Sequence, residues 1–291
     1  MSTKLYDRML AQLQLSGYRE RTCQSYLKAV QQLQRFCNKP LSQIRQKDLQ
    51  EYWLACRNEY GWSPATLRIS YSGIKFFFSR TLVRNWKLLK EVRFKREQTL
   101  PSVLSAGEVK RIICALPTLQ SKVFYVTLYS LGLRLLEAIT LEVRDIDGER
   151  GIVHIRGGKG ACDRTLPLPQ ITRRALRAYY KTHRNPRWIF PAIGHNQFHL
   201  SGRATKPVSK TGVQRVLGRT VERLGITKRV HPHVFRHSYA THMLEANVPI
   251  HHVQKLLGHK TLQSTIVYLH VTTMAQAHSH ERVCQVIQGV L

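Results

Sequence analysis

Acidic residues are scarce in this chain. Its 291 residues include 17 Asp and Glu against 46 Lys and Arg, a formal charge of +29. Such a field repels itself, a cost that a small-molecule enzyme has no reason to carry, so a polyanionic partner is indicated. Nucleic acid ranks ahead of a membrane surface. Cysteine is sparse too: Cys23, Cys37, Cys56, Cys114, Cys162 and Cys284 are scattered and form no C-x-x-C pair. Neither a disulfide framework nor structural zinc is expected, and a reducing interior fits best. No run approaches the roughly 18 apolar residues of a membrane span. The opening stretch, MSTKLYDRMLAQLQLSGYRE, is charged and amphipathic with no apolar signal core, so no targeting segment is expected. The chain also lacks a G-x-x-x-x-G-K-[ST] phosphate loop, a dinucleotide fingerprint and an H-E-x-x-H helix, so neither a nucleotide cofactor nor a metal is expected. There is no internal repeat and no low-complexity tract.

What is present can fold. Hydrophobic residues make up 43% of the chain, enough for real cores, and the length suggests about two domains. The basic charge is not confined to a tail. Residues 1–100 hold 19 Lys and Arg against 7 Asp and Glu; the remainder hold 27 against 10. Two domains that both face a phosphate backbone would carry charge this way.

Residues 1–85 read as four short helices in a bundle. Tyr26, Val30, Leu33 and Cys37 form one apolar stripe, and Leu67, Tyr71, Ile74, Phe78 and Leu82 form another. Ser63 followed by Pro64 marks a helix start. Residues 86–104 read as a basic linker containing Pro101. Ser105-Ala-Gly-Glu108 is a capping box that opens a second domain, residues 105–291. Within it, the β-branched runs around Asp147-Gly148 and Gly157-Gly158 predict a small three-stranded antiparallel sheet among helices. The expected fold class is therefore mainly α (α+β).

Four segments could carry chemistry. LYSLGLRLLEAITLEVRDID sets Arg134 and Glu137 three apart, as on one helical face. GGKGACDRTLPLP places Lys159 among glycines at a hairpin tip. HPHVFRHSYATHML sets His233 and Arg236 three apart. LLGHKTLQSTIVYLHV carries His259 and Tyr268, with Gly258 ending a helix that starts at Pro249. Taken singly, these are an ordinary ion pair, a hairpin lysine, a histidine cluster and a core tyrosine.

As a set, in this order, they resemble the tyrosine recombinase (phage integrase) family, including Xer recombinases and integron integrases. The matching text is G-L-R-x-x-E, G-K-G…R-x-L-P-L, H-x-x-R-H-S-x-A-T-H and L-G-H-x-x-x-x-x-T-x-x-Y. The departures are Leu131 before G-L-R, Ala138 after the glutamate and Cys162-Asp163 in the hairpin; none removes a matched catalytic position. No long helical insertion separates Phe190 from His231, which argues against an integron integrase.

The resemblance implies a fold and a reaction. Residues 1–85 become a SAM-like core-binding domain, and residues 105–291 a catalytic domain. Tyr268 matches the nucleophile, and Arg134 and Arg236 match the pair that grips the scissile phosphate. Lys159 matches the donor to the leaving group, His233 the acid/base histidine and His259 a further phosphate contact. Glu137 matches a carboxylate beneath the site. The product of attack would be a 3′-phosphotyrosyl link, which conserves bond energy and needs neither ATP nor metal. The implied partner is double-stranded DNA with specific recombination sites, bound by a tetramer on two sites in the bacterial cytoplasm, at the nucleoid. Val283, Val286, Ile287 and Leu291 lie near one face of a C-terminal helix that would dock on a neighbouring protomer, or on its own domain. Two other readings are a type IB topoisomerase-like enzyme and a DNA-binding protein without cleavage.

The chemistry suits these side chains. A guanidinium keeps its charge and presents a planar fork to phosphate oxygens. A free tyrosine titrates near pH 10, so Tyr268 needs a base or strong electrostatic help.

Overall fold

The computed structural model describes residues 2–92, 94, 101–156, 163–192 and 198–269. The chain divides into two compact units, Met1–Thr99 and Leu100–Leu291.

The first unit is built from amphipathic helices. Helix α1 (Ser2–Leu15) buries Met9 and Leu13, and α2 (Glu20–Cys37) buries Cys23, Ala29, Val30 and Leu33. Asn38 ends α2 in the left-handed conformation, φ 48°. Helix α3 (Gln46–Asn58) starts where the Asp48 carboxylate accepts the Arg45 backbone N–H at 2.7 Å. Helix α4 (Pro64–Phe76) starts at Ser63, whose Oγ accepts the Thr66 N–H at 3.3 Å, a cap contributing about 1 kcal/mol. Gly73 lets α2 and α4 approach: a Cβ there would stand 2.8 Å from the Tyr26 Cα.

Two features depart from the periodic reading. The stripe through Phe78 and Leu82 does not continue as α-helix, because the chain widens into a π turn over Phe77–Thr81. That turn lets the adjacent Phe77 and Phe78 both bury fully, which a regular 100° step would oppose. In addition, residues read as the start of the linker pack on this unit. Helix α5 (Leu88–Glu91) buries Leu89, and Phe94 meets Trp53 and Tyr71 edge-on, at 6.0 and 5.7 Å between centroids.

The second unit opens on α6 (Ala106–Ala115), capped reciprocally by Ser105 and Glu108. Helix α7 (Leu119–Ser130) is the central rod, with Val123, Phe124, Tyr125, Thr127 and Leu128 all buried. A short α8 (Leu135–Ile139) follows. The sheet is three-stranded and antiparallel in the order β1 (Ile146–Asp147), β2 (Ile152–Ile155), β3 (Arg164–Pro167), with Val153 facing both Ile146 and Leu166. The helices α9 (Gln170–His183), α10 (Lys210–Arg223) and α11 (Pro232–Glu245) complete the main core. Phe124 packs on Phe190 and Tyr125 on Phe235, and the Tyr125 hydroxyl donates to the Val213 carbonyl at 3.0 Å. A smaller apolar cluster of Tyr239, Ala240, Val253, Leu257 and Tyr268 joins α11 to α12 (Ile250–Leu257) and the turn after α13 (Gln263–Ile266). That second cluster sets the geometry of the site.

Among the described residues no helix is long and apolar enough to cross a membrane. Cys23, Cys37, Cys56 and Cys114 are free thiols.

Candidate active site

The site begins at a tight corner. After α7, Gly132 takes φ +56°, and the Tyr239 ring lies where its side chain would be: a Cβ would stand 2.5 Å from Cδ1. The corner delivers Arg134 to the start of α8 in extended geometry, φ −72° and ψ 149°. The expected pairing across a helical face is therefore corrected. Arg134 sits before the helix, and Glu137 reaches back over its first turn. The Glu137 carboxylate accepts the Arg134 backbone N–H at 2.8 Å and its guanidinium Nη1 at 2.8 Å.

The same carboxylate holds more than one arginine. Arg164, at the start of β3, donates to it twice: Nη1 to Oε1 at 3.0 Å and Nη2 to Oε2 at 2.8 Å. Arg236 on α11 brings Nη1 within 4.0 Å of Oε2. The three guanidiniums then diverge onto three consecutive carbonyls at the end of α12. Arg164 Nε donates to Leu256 (3.0 Å), Arg236 Nη2 to Leu257 (2.5 Å) and Arg134 Nη2 to Gly258 (3.0 Å). These are carbonyls that a helix end leaves unpaired, at the negative pole of its dipole. Gly258 permits the ending with φ +63°, and a Cβ there would press on the Arg164 side chain at 3.0 Å. Arg236 also donates from Nη1 to the Gly132 carbonyl at 2.7 Å, tying the first corner to the last.

Burial pushes the Glu137 carboxyl upward, but the hydrogen bonds and charge of Arg164, then Arg134, outweigh it and hold the group at about 2. Burial first, then the Arg134 charge, lowers Arg236 to about 9, still protonated at neutral pH. Three cations against one carboxylate leave the cluster with two uncompensated positive charges. A net positive cluster attracts anions, and Arg134, whose side chain is 21% exposed, is the most accessible of the three.

The remaining groups gather around Tyr268. Helix α11 carries His233, Arg236 and His237 at i, i+3 and i+4, on one side. His233 is exposed; His237 points inward, with Nδ1 at 2.9 Å from the Tyr268 hydroxyl. Tyr268 lies just beyond α13, its N–H bonded to the Thr265 carbonyl at 3.0 Å, and is only 4% exposed. The His259 ring stacks on it at 6.3 Å and is fixed through Nδ1 to the Thr265 hydroxyl at 2.9 Å. Burial raises the Tyr268 hydroxyl pKa, and the Arg236 and Arg134 charges oppose that rise. Burial first, then neighbouring cations, lowers His237 and His259 to about 4, so both are neutral at physiological pH. His233 is exposed as a whole residue, yet partial burial of its ring, then the charges of His231, Arg236 and Arg134, lowers it too.

The structure thus gathers Arg134, Glu137, Arg236, His259 and Tyr268, with His233 on the exposed side of α11. Lys159 and the segment after Leu269 lie outside the described residues. Two participants were missed from the sequence. Arg164 is the arginine of G-K-G…R-x-L-P-L, and His237 is the second histidine of H-x-x-R-H; both stood in the quoted motifs without a role. The four histidines of HPHVFRHSYATHML take different partners: the rings of His231 and His233 lie 6.2 Å apart between centroids, His237 bonds Tyr268, and His242 Nδ1 lies 2.8 Å from the Tyr129 hydroxyl. The arginine cluster is also separate from a cavity of about 700 Å³ lined by residues that include Arg144, His154, Arg173 and Tyr180.

Residues 102–274 match the phage integrase family, and residues 5–88 match the phage integrase N-terminal SAM-like domain. An integrase/recombinase of Escherichia coli is 30% identical, over 95% of this chain and 92% of its own. The tyrosine recombinase XerC of Pelotomaculum thermopropionicum is 32% identical, over 76% of this chain and 75% of its own. A lambda integrase dimer bound to a COC′ core site matches with a TM-score of 0.74 at 18% identity, covering 91% of this chain and 76% of that one. The Tn1549 transposon integrase in complex with transposon right end DNA gives 0.72 at 17%, covering 96% and 99%. At these identities the structural matches speak to the fold.

Proposed function

The chain belongs to the phage integrase family of tyrosine recombinases, and we propose that it cuts and rejoins DNA through a covalent 3′-phosphotyrosyl link to Tyr268. It is a site-specific DNA recombinase, and DNA is its partner. The observation that carries the assignment of roles is the buried arginine cluster with two uncompensated positive charges, set within electrostatic reach of a buried tyrosine hydroxyl.

Arg134 and Arg236 hold the nonbridging oxygens of the scissile phosphate. Their positions are fixed beforehand by Glu137, by Gly132 and by the end of α12, so little reorganisation accompanies the reaction. His259 contacts the same phosphate, and exposed His233 serves as acid/base at the open side. Lys159 protonates the departing 5′ oxygen. A 5′ hydroxyl from a second duplex then attacks the phosphotyrosine and completes the exchange.

The first unit, with α5 and Phe94 packed on it, grips the core site, and residues 105–291 perform the chemistry. Four protomers act on two sites, with the C-terminal segment joining neighbours. The test begins with footprinting to locate the core site. A nicked version of that site should trap a denaturant-resistant complex with the wild-type protein, and Tyr268→Phe should form none. Undiminished trapping by Tyr268→Phe would sink the reading.

A further inference from the structure

We propose that His237 is a catalytic residue: the base that takes the hydroxyl proton of Tyr268 during cleavage and returns it during rejoining. The inference rests on the recombinase reading and adds a residue to it.

The geometry points to this group. The Tyr268 hydroxyl lies 2.9 Å from His237 Nδ1, the distance a proton must cross. With the ring proton on Nε2, the hydroxyl donates directly into the Nδ1 lone pair. The helix fixes the rest. His237 follows Arg236 immediately on α11, so the proton acceptor and one phosphate grip move as a single rigid piece. Exposed His233 sits one turn earlier on the same helix. The two histidines thus have different surroundings, and His237 is the one bonded to the Tyr268 hydroxyl.

The base also has a built-in condition. His237 is faced by His231, His233 and Arg236 from α11 and by Tyr268 and His259 from the segment that follows. Burial first, then the charges of His233, His231 and Arg236, opposes an additional positive charge on the ring. A DNA phosphate between Arg134 and Arg236 supplies negative charge and relieves the part of that opposition that comes from neighbouring charges. The proton can then leave Tyr268 only when a phosphate is there to receive the attack.

The step balances. The Tyr268 Oη–P bond forms and the P–O5′ bond breaks. The hydroxyl proton passes to His237 Nδ1, giving an imidazolium, and O5′ leaves with a proton from Lys159. In rejoining, the incoming 5′ hydroxyl gives its proton to Lys159, and the imidazolium returns its own to Tyr268.

The experiment uses the full chain on a nicked core site in single turnover. His237→Asn keeps a polar atom near the Nδ1 position but cannot act as a base. It should bind DNA and melt as wild type does, yet cleave about 100-fold more slowly or worse. It should also lose the acidic limb of the pH–rate profile. A 5′-bridging phosphorothiolate, whose sulfur leaves without a proton, should rescue Lys159→Ala and leave His237→Asn slow. Imidazole should partly restore His237→Gly. Cleavage by His237→Asn within about fivefold of wild type, a retained acidic limb, or rescue by the phosphorothiolate would each overturn the assignment. Should His237→Asn melt low, His237→Gln replaces it in the same assays, judged by the same outcomes. Cleavage by Tyr268→Phe would instead refute the recombinase reading, so the two failures are distinguishable.

Discussion

Replacing Glu137 by glutamine should unfasten the site without changing its shape. The carboxylate is 6% exposed and is shared by Arg164 and Arg134, with Arg236 at 4.0 Å. Burial alone would raise its pKa, yet Arg164 and Arg134 hold it at about 2 instead of 4.5. That difference of about 2.5 units corresponds to about 3 kcal/mol of folded-state preference for the charged form. The folded pKa is depressed, so this stabilisation is present above the unfolded value and disappears as pH falls from about 4.5 towards about 2. Glutamine keeps one oxygen but turns an amide N–H toward a guanidinium. In a unit of this size each kcal/mol moves the midpoint by about 2–4 °C, so Glu137→Gln should melt about 6–12 °C lower at pH 7. At pH 3 the gap should shrink by about half or more, because the unfolded-state carboxyl is protonated there while the folded one is still mostly ionised. Calorimetry of the full chain at both pH values measures it. A midpoint within about 2 °C of wild type at pH 7, or a gap unchanged at pH 3, would refute the electrostatic account.

Arg134→Ala and Arg236→Ala should both still bind the core site in a gel-shift assay, while single-turnover cleavage falls by about 10²–10³ for each; normal cleavage by either would mean its role is wrong. Gly132→Ala must accept a left-handed backbone and a clash with Tyr239, at a cost of about 2–4 kcal/mol by urea unfolding, and a neutral result would show that the corner can relax. Deleting residues 275–291 should abolish assembly on paired DNA sites while sparing binding to a single site, as read by native gels; intact assembly would remove the proposed role of the C-terminal segment.

Much of the fold was legible because its signals are local. The stripes through Val30 and Leu33 and through Leu67 and Ile74, the caps at Ser63 and Ser105, and the β-branched alternation of residues 152–155 each act within a few residues. The π turn over Phe77–Thr81 was not legible, because it answers to how two adjacent rings bury in a core formed by other helices. The site divides the same way. Arg134, Glu137, Arg236, His259 and Tyr268 were found through motif resemblance. The contact between Arg164 and Glu137 spans 27 positions, and that between His237 and Tyr268 spans 31, so no periodicity could reveal either. Even the Arg134–Glu137 spacing misled, since three residues apart fits a helical face as well as a helix start.

The overall charge and the charge of the site answer different needs. A chain at +29 will associate with any polyanion, and exposed lysines and arginines suffice for that. Chemistry on one phosphate requires guanidiniums that do not wander, because a donor that must be oriented during the reaction contributes less. Here the orientation comes from carbonyls 256, 257 and 258, each taking one arginine from a different part of the unit: the start of β3, the middle of α11 and the start of α8. Gly258 makes this possible by ending α12 in a left-handed turn, so the last carbonyls point outward and not along a continuing helix. His259 follows directly and stacks on Tyr268. One helix end therefore orients the proposed phosphate grips and, one residue later, supports the proposed nucleophile. A shift of that end would displace both together, which makes the G-H pair of L-G-H the joint between fold and reaction.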